Sequence, residues 1–147
     1  MKKTIVTLTF FCFIILKIIC LPAAYSDSPD ESTKTSSDSL AVLWTSGDSD
    51  VAHKVCFMYT HNAKRQKWFD AVRLIVWGPS ARNLAGDIKL QEKVKKMMED
   101  GVKVEACVFC AKMYGVVEKL RELGIDVKGM GKPLTKYLKS EWRVLKF

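Results

Sequence analysis

Two cysteines two residues apart, Cys107-Val108-Phe109-Cys110, carry the chemistry this chain most clearly offers. They sit where an alternating strand pattern, Val102 to Ala106, gives way to a helical one. A thiol at such a junction lies beside backbone N–H groups that have no helical partner. The positive end of the helix dipole favours its thiolate, which is the reactive form. Cys-x-x-Cys has several readings. A structural zinc site needs about four ligands at suitable spacing, and the domain adds only His53, His61 and Cys56 with no second paired motif. A thioredoxin-type site usually follows an early strand, whereas this motif follows the third. A single nucleophilic sulfur at Cys107, resolved or protected by Cys110, is the third reading. A buried cysteine pair that only fills the strand–helix junction is the fourth. Neither a metal nor a cofactor is expected.

The elements that must hold these sulfurs follow from periodicity. Leu40–Trp44, Val72–Trp77, Val102–Ala106, Ile125–Met130 and Trp142–Phe147 read as strands. Ser49 to about Gln66, Ala81 to Asp100 with a break around Gly86-Asp87, Cys110 to Leu123, and Leu134 to Ser140 read as helices. Regular alternation with short connections predicts an α/β fold: a three-layer αβα sandwich on a five-stranded, mainly parallel sheet. The first two strands are apolar at nearly every position and belong in the middle. The third and fourth alternate charged with apolar residues, so they lie nearer an edge, or one face meets solvent or another subunit.

In open α/β sheets, sites form beyond the carboxyl ends of the strands. Those ends place Ser46, Trp77, Ser80 and Met130 near Cys107 as candidate ligand-binding residues. Ordinary turn chemistry explains the small and hydroxyl residues equally well. Thr45-Ser46-Gly47-Asp48 matches neither phosphate-loop nor dinucleotide fingerprints, which excludes an NTPase or a dehydrogenase. Cys56 and Trp44 are expected in the core, and His61 on the surface. Glu105 shares Cys107's face of the strand and is expected to point to solvent or a subunit contact.

The first 26 residues read as an export signal: Lys2-Lys3, an apolar run from Thr4 to Leu16, then Ala23-Ala24-Tyr25-Ser26. Cleavage is expected after Ser26, with residence in a periplasm or outside the cell. An uncleaved anchor is the alternative, and membrane contact is expected only then. Thr4–Leu16 falls short of the ~20 apolar residues that cross a bilayer. Residues 27–38 are acidic and Ser-rich and read as a disordered linker. Residues 39–147 form one domain with 20 Lys/Arg against 12 Asp/Glu. The lysines are scattered over helices as solvated faces, and an exported protein rarely meets nucleic acid, so none is expected as a partner. Once the signal leaves with Cys12 and Cys20, three cysteines remain, an odd number that leaves at least one unpaired or paired between chains, and the domain is large enough to stand on its core without a disulfide scaffold.

The strand order, the domain length, and the segments Glu105-Ala106-Cys107-Val108-Phe109-Cys110-Ala111-Lys112-Met113-Tyr114-Gly115-Val116 and Val76-Trp77-Gly78-Pro79-Ser80 resemble the DsrE/DsrF-like sulfur-relay family. The resemblance implies a DsrE-like α/β domain over about Leu40 to Phe147. It implies that Cys107 takes up sulfur as a persulfide, with Cys110 matching the second cysteine of a subset of members. Partners would be sulfur-donor and acceptor proteins or small thiols, and the assembly a homo-oligomer, trimer-based. The activity would be sulfur transfer or thiol oxidoreduction. A family role in cytoplasmic tRNA modification does not fit an exported chain. The alternative is an oligomeric protein that binds a small ligand or partner with structural cysteines.

Overall fold

The structure, a computed structural model, describes residues 38–147. The proposed signal (1–26) and nearly all of the linker (27–38) lie outside the described residues. Five strands form one all-parallel sheet: β1 (Ser39–Trp44), β2 (Ala71–Val76), β3 (Lys103–Cys107), β4 (Asp126–Lys128) and β5 (Trp142–Lys146). Their spatial order is β4-β3-β2-β1-β5. The apolar β1 and β2 occupy inner positions, and the charged, three-residue β4 takes an edge, as the alternation predicts.

Between the strands run α1 (Ser49–Val51), a π-helical turn (Ala52–Cys56) and α2 (Phe57–Arg65); then α3 (Pro79–Gly86) and α4 (Ile88–Glu99); α5 (Val108–Met113) and α6 (Val117–Glu122); and α7 (Gly131–Leu138). Handedness decides where each one lies. The crossovers β1→β2, β2→β3 and β3→β4 all advance in one direction, so right-handed connections put their helices on one face. The last connection returns past β1 to β5, so α7 lies on the other face. The core is divided accordingly. Leu40, Val42, Trp44, Val72, Leu74, Val76, Val104 and Ala106 face the large helical layer, where Phe57, Leu84, Leu90, Val94 and Met97 meet them. Leu90, Val94 and Met97 sit one helical turn apart on α4, and each fully buried side chain contributes ~1.5–3 kcal/mol. Ala41, Ile75 and Cys107 face the thinner layer with Cys110, Met130 and Tyr137.

The break around Gly86-Asp87 is where the sequence puts it. Asp87 accepts from the N–H groups of Lys89 and Leu90 and starts α4. The helix expected from Cys110 to Leu123 is two helices. It ends after Met113 because Gly115 adopts φ +67°. The N–H of Val116 then donates to Ala111 O (2.9 Å) and that of Gly115 to Lys112 O (3.1 Å), a Schellman closure. The last helix starts three residues earlier than its apolar pattern suggested, because Pro133 fits inside a first turn where its missing N–H is no loss.

Candidate functional site

β3 delivers Cys107 to the carboxyl edge of the sheet. Its backbone is still extended (φ −73°, ψ 113°) as it caps α5. Cys110 follows one turn on, and the two side chains pack in one buried cluster. Both thiols are free. They are only 3% and 6% exposed, packed among Ala41, Ile75, Met130 and Tyr137. Burial pushes the Cys110 thiol above its ordinary range. The backbone N–H of Gly78 beside it pulls the other way, and negative charge on Cys107 adds to the rise. α5 has six residues, too few for a full macrodipole. Support for a sulfur anion comes as much from Gly78, across the sheet edge, as from α5. Gly78 holds φ +71°, ψ −136°, a region open mainly to glycine, and this conformation aims its N–H.

Of the four candidate ligand-binding residues, Met130 and Trp77 pack into the same cluster as the thiols. Met130 is fully buried and Trp77 half-buried. Ser80 is fully buried and committed to backbone: its hydroxyl accepts from Trp77 N–H (3.0 Å) and donates to Trp44 O (2.7 Å). It ties the carboxyl ends of β1 and β2 together. Ser46 accepts from Asp48 N–H (3.1 Å) in the turn before α1. Cys56 and Trp44 are fully buried, Trp44 edge-on to Phe57 at 4.8 Å. Burial pushes the Cys56 thiol up to about 12. Among the described residues, no three His, Cys, Asp or Glu side chains gather as a metal site.

Two expectations are corrected. His61 is buried, not on the surface; its Nε2 lies 2.6 Å from Asp100 Oδ2, which joins α2 to the end of α4. Glu105 points neither to solvent nor to a subunit contact. It is 3% exposed and accepts from Arg73 Nη1 (2.9 Å), Lys128 Nζ (2.8 Å) and Tyr137 Oη (2.9 Å). Arg73 and Lys128 lie on the strands flanking β3, on the same face, and Tyr137 reaches down from α7. A buried carboxylate is tolerable only with such partners. Residue-by-residue reading missed this group. Its signal was present: opposite charges at alternate positions of three strands, which parallel pairing brings onto one face.

An all-parallel five-stranded α/β sheet with a thiol at the end of its third strand defines a fold class, not yet a chemistry. The DsrE/DsrF-like family model matches residues 53–147, and the chain belongs to that family. Among solved structures, a conserved protein of unknown function from Bacteroides thetaiotaomicron superposes with a TM-score of 0.74 and 34% identity, over 79% of this chain and 100% of that one. The ychN protein from E. coli shares the fold at a TM-score of 0.58 and 13% identity, over 75% of this chain and 99% of that one. No curated protein matches the sequence.

Proposed function

We propose that this protein carries sulfur on Cys107, with Cys110 as its resolving partner. Family membership suggests sulfur relay, and the packing of both thiols in one cluster at the carboxyl end of β3 is the observation that carries the finer reading. The Cys107 thiolate attacks the outer sulfur of a donor persulfide. A Cys107 persulfide forms, and the donor leaves as thiolate. An acceptor thiolate then attacks the terminal sulfur and regenerates Cys107. Alternatively, Cys110 attacks the inner sulfur of the persulfide, releases hydrosulfide and leaves a Cys107–Cys110 disulfide.

Loading requires the edge to open, because both thiols are nearly covered in the closed state. The exposed Phe109 and Met113, one turn apart on α5, flank Cys110 and give an apolar surface for a donor, an acceptor or another copy of the chain. We place the protein outside the cytoplasm, on the strength of the N-terminal sequence pattern. The burial of the thiols favours a second reading, a ligand- or partner-binding protein whose cysteines only pack.

The decisive experiment loads the protein with a sulfane-sulfur donor and reads intact mass. Wild type gains one sulfur (about 32 Da), or loses two hydrogens if Cys110 resolves it. Cys107→Ser, with an unchanged circular-dichroism spectrum, gains nothing. Equal loading of the variant refutes the carrier reading.

A further inference from the structure

A second site, which neither thiol lines, lies on the face of the sheet that α7 covers. A cavity of about 530 Å³ opens there, lined by Arg73, Lys132, Pro133, Lys136, Tyr137 and Trp142. It exists because the strand between its walls carries small side chains on this face. Ser39 and Ala41 of β1 separate Arg73 of β2 from Trp142 of β5. Arg73 leans across them, its guanidinium 5.2 Å from the Trp142 ring centre and 5.7 Å from that of Tyr137.

The lining side chains are three cations and no carboxylate, with Glu105 buried behind Arg73 and Tyr137. Arg73 shares Glu105 with Lys128, and its Nε is buried without a hydrogen-bond partner. Lys132 and Lys136 stand one turn apart on α7, exposed, and neither has an ion-pair partner among the described residues. The contrast is a cavity of equal size lined by Lys64, Arg65, Lys67, Phe69, Asp70 and Asp100, where two acids face three cations. Three cations converging on a concave surface with an aromatic wall match an anionic head joined to a flat apolar body.

We propose that this cavity binds a small organic anion, its carboxylate or phosphate between Lys132 and Lys136 and its flat body against Pro133 and the Trp142 edge. The guanidinium of Arg73, held over the rings and paired with Glu105 through Nη1, lines the floor of the cavity without further ordering cost. The site does not involve Cys107 and stands whether or not sulfur transfer does.

Calorimetric titration of the full chain with phenyl phosphate, benzoate and inorganic phosphate tests it. Phenyl phosphate or benzoate should saturate one site with a Kd of about 1 mM or tighter, and inorganic phosphate should bind about tenfold more weakly. The exposed double variant Lys132→Ala/Lys136→Ala keeps the fold and should weaken the organic anions about tenfold. Trp142→Leu should reduce their advantage over inorganic phosphate. Cys107→Ser should bind as wild type does. Absence of saturable binding up to about 10 mM, or a change below about threefold in the double variant, overturns the proposal.

Discussion

The hydroxyl of Tyr137 donates to Oε2 of Glu105 at 2.9 Å, and this bond ties α7, the one helix on its face of the sheet among the described residues, to a buried carboxylate in β3. The same carboxylate holds Arg73 and Lys128 through its other oxygen. The α7 layer therefore stands on a polar anchor two residues before Cys107, as well as on the apolar contacts of Met130 and Tyr137. Burial, then the bond to Glu105, pushes the Tyr137 hydroxyl above its ordinary range, so it remains a donor through neutral pH.

Glu105→Gln should be costly, because it leaves the half-buried Arg73 without a counter-charge, while Lys128 keeps Asp126. Removing one partner of a fully buried pair costs about 3–5 kcal/mol. Arg73 and Lys128 keep 24% and 37% of their side chains exposed, so roughly 2–3 kcal/mol is expected here. Tyr137→Phe removes one hydrogen bond and leaves both ion pairs, at about 1 kcal/mol. Urea denaturation of the two variants checks the order. Equal costs would mean that the carboxylate is not the anchor.

The strands and the topology were legible in the sequence because burial on both faces leaves continuous apolar runs. β1 and β2 read that way, and the parallel sheet followed from alternation alone. The break after Met113 was also marked, by Gly115, but a glycine inside an apolar helical pattern looks the same whether it continues the helix or closes it. Cys107 and Cys110 were legible as a pair, since their spacing is local. Their burial was not, because the residues that cover them, Ile75 of β2, Met130 before α7 and Tyr137 of α7, lie far apart in sequence. Glu105 was misread for the same reason. A lone acid in a strand looks solvated until the register places Arg73 and Lys128 on its face, and pairing is not written in any one segment.

Gly78→Ala should destabilise the fold although a methyl group has open space there. The cost lies in the backbone: φ +71° with ψ −136° is closed to residues bearing a Cβ, and such strain costs about 1–3 kcal/mol. Relaxing it would also move the N–H that supports the Cys110 sulfur, so the Cys110 pKa should rise further. Gly86→Ala is the control. It has equal space and a negative φ near the exposed end of α3, and should be neutral or stabilise by up to about 1 kcal/mol. Denaturation curves that do not separate the two variants would remove the strain argument.

The His61–Asp100 pair should set part of the acid limit of the fold. Asp100 is held below its ordinary carboxylate range, first by the bond from His61 and then by Lys96. A folded-state value below the unfolded one adds stability that is present above the unfolded pKa of about 3.9. That stability is lost as pH falls through the folded value. Asp100→Asn should melt below wild type at pH 7, and the gap in Tm should narrow as pH is lowered past about 4. A gap that stays constant from pH 7 to pH 3 would show that the carboxylate charge contributes nothing.

Native-state alkylation should separate the three described thiols, Cys56, Cys107 and Cys110, by place in the fold rather than by exposure, since all three are buried. Cys56 sits in the π-helical turn under the large helical layer, and at a pKa pushed up to about 12 it has almost no thiolate at pH 8. Its labelling needs global unfolding and should slow with every stabilising condition. Cys107 and Cys110 lie at the sheet edge under the thinner layer, where release of α5 or the α7 N-terminus would uncover them without loss of the main core. They should label at least about tenfold faster than Cys56 in buffer, and all three should label together in concentrated urea. Mass spectrometry of peptides quenched at intervals reads this directly. If Cys107 labels only as fast as Cys56, the edge does not open on its own, and the packing role becomes the right account of these sulfurs.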